Sequence, residues 1–134
     1  MSNYTTSATT SLLLPLSGVL DLSVIIPTNR PKNNERNKTA ISLYITQNGI
    51  YQPIGCYVYS IPNASNEIYS TILNNSNENL VDLTKKMSAI LSKRYNSPTY
   101  VNLNGSFSIE EFTPLIGDVI SFIEENFNSS IENE

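Results

Sequence analysis

Few side chains in this sequence could carry catalytic chemistry. The chain of 134 residues contains no histidine, the side chain that most often acts as a general base near neutral pH. Its single cysteine, Cys56, has no imidazole to activate it and lies in a strand-like run, where the role of a small buried apolar residue is expected. The adjacent pairs Glu110-Glu111 and Glu124-Glu125 diverge on a helix, so we expect solvated helix surface. The sequence therefore predicts a protein that is not an enzyme.

Metal and nucleotide sites are not predicted either. The sequence has no cysteine and histidine cluster with the spacing of a zinc site, and no oxygen-rich loop with the spacing of an EF-hand. Its five glycines are scattered and form no phosphate-binding loop pattern. We therefore expect no catalytic, cofactor-binding or metal-binding residues, and no cofactor.

A basic and aromatic cluster is the group that most directly suggests binding. All eight Lys and Arg residues fall within residues 30–38 and 85–94, and the chain beyond Gly105 carries only acidic charges. Six residues around the second basic group could contact phosphates and stack bases: Lys85, Lys86, Lys93, Arg94, Tyr95 and Tyr100. A net charge of −4 argues against nucleic acid and leaves two readings open, complementarity to a protein partner and a solvated charge pattern.

The expected location follows from the cysteine count and from the hydropathy pattern. One cysteine cannot form an intramolecular disulfide, and no segment resembles a secretion signal. The most apolar run, residues 11–27, is interrupted by proline, glycine and aspartate, and is too short to span a bilayer. We expect a cytoplasmic protein, or one shared with the nucleus, that has no membrane contact.

Strand patterns dominate the first half of the chain. Residues 1–11 lack periodicity and are predicted to be a loose terminus. Alternating apolar residues from 19 to 26 predict a strand, and the proline-rich residues 27–38 predict a mobile loop. The alternation of residues 41–46, followed by Asn48-Gly49, predicts a hairpin whose returning strand continues into residues 56–62. Residues 67–72 predict one more short strand.

The second half predicts helix, strand and helix. A stripe of apolar residues predicts a first helix that ends near Tyr95, with Asn77 or Asn79 as its N-cap and Lys93 and Arg94 in its last turn, where cations complement the helix dipole. That stripe consists of Leu80, Leu83, Met87, Ile90 and Leu91. A strand over residues 99–103 follows it.

The last helix is predicted to begin near a proline. Ser108 and Glu111 have capping-box spacing, but Pro114 fits best at the first helical position, so we expect a turn from Ser108 and a helix from Pro114 to Phe127. Its inward side chains are expected to be Leu115, Ile116, Val119, Ile120 and Ile123. Residues 128–134 are predicted to be a loose acidic tail. The fold class is α+β, with a mainly antiparallel sheet and two principal helices packed on it in a single domain, residues 1–134.

The order of several short motifs resembles one known family. Three stretches carry the resemblance, "PIGCYVYSIP", "YSTIL" and "NLVDLTKKMSAILSKRYNSPTYVNLNGSFSIEEF", and the match as a whole covers about residues 53 to 127. They are similar to the fungal form of proteasome assembly chaperone 4, and the sister chaperone, proteasome assembly chaperone 3, has a similar order of elements. The positions that match the family pattern are Thr84, Ser88, Leu91, Ser92, Lys93, Arg94, Pro98, Tyr100, Val101, Glu110 and Glu111.

The resemblance implies a function and two kinds of partner. It implies a non-enzymatic chaperone that uses no ATP, forms a heterodimer with its homologous sister, and binds α-type subunits of the proteasome core particle to promote α-ring formation. Under this hypothesis the cations of the first helix present charge to an α subunit: Lys85, Lys86, Lys93 and Arg94. Tyr57 and Tyr59 alternate with Cys56 and Val58, so we expect them near the dimer interface or, alternatively, as a simple cover of the sheet.

Two other classes of function stay open beside the chaperone. One is a small nucleic-acid-binding module that uses the Lys85, Lys86, Lys93 and Arg94 surface with Tyr95 and Tyr100. The other is an enzyme or small-ligand carrier with an unrecognised site.

Overall fold

A computed structural model describes residues 5–32, 37–47, 54–76 and 78–132, with side chains as far as Phe127. Within these ranges the chain forms one sheet in the order β1-β2-β3-β6-β4-β5. All neighbouring strands are antiparallel except β3 and β6, which are parallel. The strands are β1 (Thr5–Leu14), β2 (Gly18–Pro27), β3 (Ile41–Gln47), β4 (Cys56–Pro62), β5 (Ile68–Asn75) and β6 (Thr99–Asn104).

The N-terminal segment is a strand, so the prediction of a loose terminus is wrong for residues 5–11. β1 pairs with β2 along its whole length, from Thr5 opposite Pro27 to Leu14 opposite Gly18. The exposure of its side chains alternates strictly. Serine and threonine occupy both sets of positions up to Ser11, and the alternation is therefore invisible to a hydropathy pattern.

The predicted hairpin between residues 41–46 and 56–62 is wrong. β6 lies between β3 and β4, which are therefore not neighbours in the sheet. Asn48-Gly49, which suggested the tight turn, lies outside the described residues. Turn residues predict a local chain reversal. The insertion of β6 depends instead on its pairing with β3 and β4, which lie far away in the sequence, on the other side of α1.

Two helices follow the strands β5 and β6. A 3-10 turn (Glu78–Leu80) leads into α1 (Val81–Tyr95), and a second 3-10 turn (Ile109–Glu111) leads into α2 (Phe112–Glu132). No helix of the described residues is long and apolar enough to cross a membrane.

The predicted helix ends are partly corrected. Leu80 occupies the N-cap position of α1 without a side-chain hydrogen bond, while Asn79 lies inside the preceding 3-10 turn and Asn77 lies outside the described residues. α2 begins two residues before Pro114 and continues to Glu132, so the prediction of a loose tail is wrong for residues 128–132. Pro114 is tolerated because amides in the first turn of a helix need no intrahelical acceptor.

Both helices pack on the same face of the sheet, as the α+β prediction requires. On β4, Cys56, Val58 and Ser60 are fully buried, and the Ser60 hydroxyl lies 2.6 Å from that of Ser88 on α1. Val101 of β6 lies opposite Val58 and is also fully buried. The helices contribute Met87, Leu91, Leu115, Val119, Ile123 and Phe127 to this core. Of the predicted inward residues, Leu83, Ile116 and Ile120 are only partly buried at its margin, and Ile90 is also only partly buried.

Candidate interaction surfaces

The sheet face opposite the helices carries a row of four tyrosines. Because side chains alternate along each strand, Tyr44, Tyr57, Tyr59 and Tyr100 all point away from the helices. Ring centroids are 6.1 Å apart for Tyr44 and Tyr57, 5.9 Å for Tyr57 and Tyr100, and 4.6 Å for Tyr59 and Tyr100. The row therefore runs across β3, β6 and β4, and it includes the two predicted interface residues, Tyr57 and Tyr59, each of which has its ring against that of Tyr100.

Two tyrosine hydroxyls on this face, those of Tyr57 and Tyr59, have raised pKa values. The hydroxyl oxygens of Tyr44 and Tyr57 are 3.3 Å apart. Burial, with the hydrogen bond between Tyr57 and Tyr44 in second place, raises the pKa of Tyr57, and burial also raises the pKa of Tyr59. The row offers flat apolar rings with polar hydroxyl ends, a combination that is enriched at protein interfaces.

Around the tyrosines this open face carries hydroxyl, amide and apolar side chains, and almost no charge. Among the described residues, half of the large hydrophobic side chains that are exposed belong to it: Leu13, Val19, Ile25, Ile61 and Tyr69. The six strands together contain a single charged residue, Asp21 of β2. Depletion of charge together with aromatic enrichment characterises the buried centre of protein interfaces.

The basic residues near the end of α1 are partly engaged within the molecule. Tyr95 is fully buried and its hydroxyl donates a 2.6 Å hydrogen bond to Oε2 of Glu124 on α2. Arg30 donates two hydrogen bonds to the same carboxylate, at 3.1 and 3.2 Å, and Nε of Arg94 lies 3.9 Å from it. Both guanidinium groups lie over the Tyr95 ring, at 5.6 and 5.7 Å from its centroid. This Arg30–Arg94–Tyr95–Glu124 cluster joins both basic groups of the sequence.

The ionisation of this cluster follows from its hydrogen bonds. Burial acts to raise the pKa of Glu124, but the bonds from Arg30 and Tyr95 outweigh burial and lower it. Burial, followed by the bond to Glu124, raises the pKa of Tyr95 to about 12. The prediction that Glu124 is solvated helix surface is therefore wrong, because this carboxylate joins α2 to the end of α1.

The arrangement contradicts the nucleic-acid surface that the sequence left open. Tyr95 is buried and cannot stack on a base. Tyr100 points to the open face, whereas Lys85, Lys86 and Lys93 are exposed on α1, on the other side of the sheet. The lysines and the two tyrosines therefore do not form one surface.

Sequence reasoning missed a carboxylate that organises the opposite end of the molecule. Glu111 is 8% exposed and accepts hydrogen bonds from the amides of Leu16 and Ser17, at 2.9 and 2.7 Å, and from the Ser17 hydroxyl at 2.8 Å. Burial acts to raise the pKa of Glu111, but these three hydrogen bonds outweigh burial and lower the pKa. In the sequence, Glu111 is marked by its capping-box spacing from Ser108. Its hydrogen-bond partners lie instead in the β1–β2 turn, and the Ser108 amide donates a hydrogen bond to the Ser17 hydroxyl.

The described residues hold no arrangement that resembles a metal or redox centre. No three His, Cys, Asp or Glu side chains among them lie close enough together to bind an ion. Cys56 is buried in the core, as expected of a small apolar residue. The fold and its surfaces define a small α+β binding protein, with two helices on one side of a sheet and an uncharged aromatic face on the other.

Comparison with known proteins identifies the family. The chain belongs to the family of 20S proteasome chaperone assembly proteins 3 and 4, whose model matches residues 1–125. Its fold is similar to that of a chain in the crystal structure of a novel chaperone complex for yeast 20S proteasome assembly, with a TM-score of 0.70 and 19% identity over 90% of this chain and 98% of that chain. No curated protein gives a significant match to the sequence. Family membership makes this chain a chaperone of 20S proteasome assembly, and it confirms the resemblance to chaperones 3 and 4.

Proposed function

We propose that this protein forms a heterodimer with a sister assembly chaperone and that the heterodimer binds free α-type proteasome subunits to promote α-ring formation. It acts by binding alone, without catalysis and without nucleotide, in the cytoplasm or in the nucleus. The observation that supports this proposal best is the open face of the sheet, with its tyrosine row and its single charge.

The open face has the properties of a surface that a protein partner covers. Five exposed large hydrophobic side chains surround the tyrosines, and burying them would release water from apolar area on both partners. Tyrosine is enriched among the residues that dominate binding energy at interfaces. The similar yeast chain was crystallised as part of a chaperone complex, which supports a chaperone partner for this chain as well.

The helix layer stays outward when the open face is covered, so it is the surface left for an α-type subunit. Lys85, Lys86 and Lys93 are exposed on α1, and neither of the two ion pairs found among the described residues involves them. Such lysines can meet an acidic surface and steer its approach. Arg94 contributes less, because it already faces Glu124.

Titration of the purified chain with a purified sister chaperone tests the heterodimer. The expected result is a one-to-one complex at micromolar concentrations or below, with a higher melting temperature than either chain has alone, because a partner that binds only the folded state stabilises it. Two monomers that elute separately and melt independently would overturn the proposal.

A further inference from the structure

The single charge on the open face has a defined position. Asp21 lies on β2 opposite Ser11 of β1, whose hydroxyl donates a 2.9 Å hydrogen bond to one carboxylate oxygen. On its β3 side Asp21 lies opposite Thr46. Asp21 is half-buried and takes part in neither ion pair of the described residues. Among the described residues, the hydrogen-bond partner and the cross-strand neighbours of Asp21 are therefore neutral.

The surroundings of Asp21 combine this charge with an apolar platform. The next pair on the same face is Leu13 and Val19, which are opposite each other and 77% and 53% exposed. In the other direction along the strands, the Thr9 and Ser23 hydroxyls bond to each other at 3.1 Å. A Lys or Arg side chain of a partner fits this arrangement. Its methylene groups can lie on the apolar surface of Leu13 and Val19 while its charged end reaches Asp21.

A second copy of this chain cannot supply that cation from the corresponding face. The six strands contain no Lys or Arg. Pairing two open faces would therefore bury two Asp21 carboxylates without a counter-charge, which is strongly unfavourable. Packing of a sheet on this face becomes favourable when the partner's sheet places a Lys or Arg opposite Asp21.

We propose that Asp21 selects the partner of the open face: the sister chaperone places a Lys or Arg against it, with the stem over Leu13 and Val19, and the same carboxylate prevents homodimers through this face. The inference rests on the proposed function, because it assumes that the sister covers the open face. Selectivity of this kind comes from attraction to the right partner and repulsion of the wrong one together.

The test compares Asp21→Asn with Asp118→Asn, which removes an equal charge from the exposed surface of α2. Asparagine retains the oxygen that accepts the Ser11 hydrogen bond, so the variant is expected to melt like the original chain. Affinity for the purified sister is measured by titration, and self-association by analytical ultracentrifugation. Asp21→Asn should weaken sister binding at least tenfold and strengthen self-association at least tenfold, while Asp118→Asn changes neither by more than twofold.

Two further measurements complete the test. Asp21→Lys should abolish sister binding, and the salt dependence of the association rate should be shallower for Asp21→Asn than for the original chain. If Asp21→Asn binds the sister as tightly as the original and stays equally monomeric, the assignment of Asp21 is overturned and the proposed heterodimer stands. If the original chain does not bind the sister at all, the proposed function itself fails, and the assignment fails with it.

Discussion

The carboxylate of Glu111 accepts hydrogen bonds from both the backbone amide and the hydroxyl of Ser17, 94 positions earlier in the chain, at 2.7 and 2.8 Å. The Leu16 amide also donates to this carboxylate. Glu111, in the 3-10 turn before α2, therefore accepts hydrogen bonds from two backbone amides and one hydroxyl of the β1–β2 turn. The turn that closes the edge of the open face is therefore held in place by a residue of the helix layer.

Loss of the Glu111 charge should destabilise the protein in a pH-dependent manner. Hydrogen bonding keeps its pKa in the folded state below the ordinary 4.5, so its contribution to stability is complete above pH 4.5 and is lost as the pH falls through the lower folded-state value. Glu111→Gln should lower the melting temperature at pH 7 by several degrees, and the difference should shrink on acidification. Glu110→Gln, at the exposed neighbouring position, is the control. Equal melting of Glu111→Gln and the original chain at pH 7 would contradict this role.

The hydroxyl of Tyr95 should contribute measurably to stability. Tyr95→Phe removes the 2.6 Å bond to Glu124 and leaves the ring in place between Arg30 and Phe127. We expect a loss of about 1.5 kcal/mol in the free energy of unfolding, at the low end for a bond to a charged group because Glu124 keeps some solvent access. Urea unfolding measures the loss. Tyr69→Phe, at a tyrosine that is 59% exposed, should leave the unfolding midpoint unchanged, and an equal midpoint for Tyr95→Phe would show that the bond is not needed.

A charge placed in the tyrosine row should prevent binding of the sister. Tyr59→Glu introduces a carboxylate beside Tyr100, whose ring centroid is 4.6 Å from that of Tyr59, on a strand that contains no charge. A sheet packed on this face would bury that carboxylate without a partner, so affinity for the sister should fall at least 100-fold. Titration checks this, and circular dichroism confirms that the variant is folded. Unchanged affinity would place the sister on another surface.

Reversal of charge on α1 should weaken the binding of α-type subunits and leave the binding of the sister unchanged. The triple variant Lys85→Glu, Lys86→Glu and Lys93→Glu changes exposed side chains and spares Arg94, which contacts Glu124. It should reduce capture of purified α-type subunits at least tenfold and leave sister binding within twofold of the original. Equal capture of α-type subunits by the triple variant would exclude this surface. Tyr59→Glu serves as the reciprocal control, because it alters the other face of the sheet.

The parts of the fold that followed from sequence are those with strong periodicity. Leu20, Leu22, Val24 and Ile26 face the core as their alternation indicates, and α1 ends at Tyr95 as predicted, with Lys93 and Arg94 in its last turn. In these segments the hydrophobic pattern and the local backbone preference agree, so local reasoning is sufficient.

The parts that sequence reasoning missed depend on contacts between distant segments. β1 is a serine and threonine strand that is recognisable only through its pairing with β2, and β6 separates β3 from β4 because of a crossover that no turn motif records. Glu111 and Glu124 read as surface acids, since their partners Ser17 and Arg30 are both 94 positions away in the chain. The alternation that marked Tyr57 and Tyr59 did place them on the open face, whereas the clustering of the tyrosines became visible only with the strand order.

Co-purification tests the central claim most directly. The tagged chain is expressed in a fungal cell and isolated in mild salt, and the proteins that accompany it are identified by mass spectrometry. A homologous small sister protein and free α-type subunits, without mature proteasomes, are the predicted result. Recovery of the chain alone, or with RNA in place of these proteins, would contradict the account.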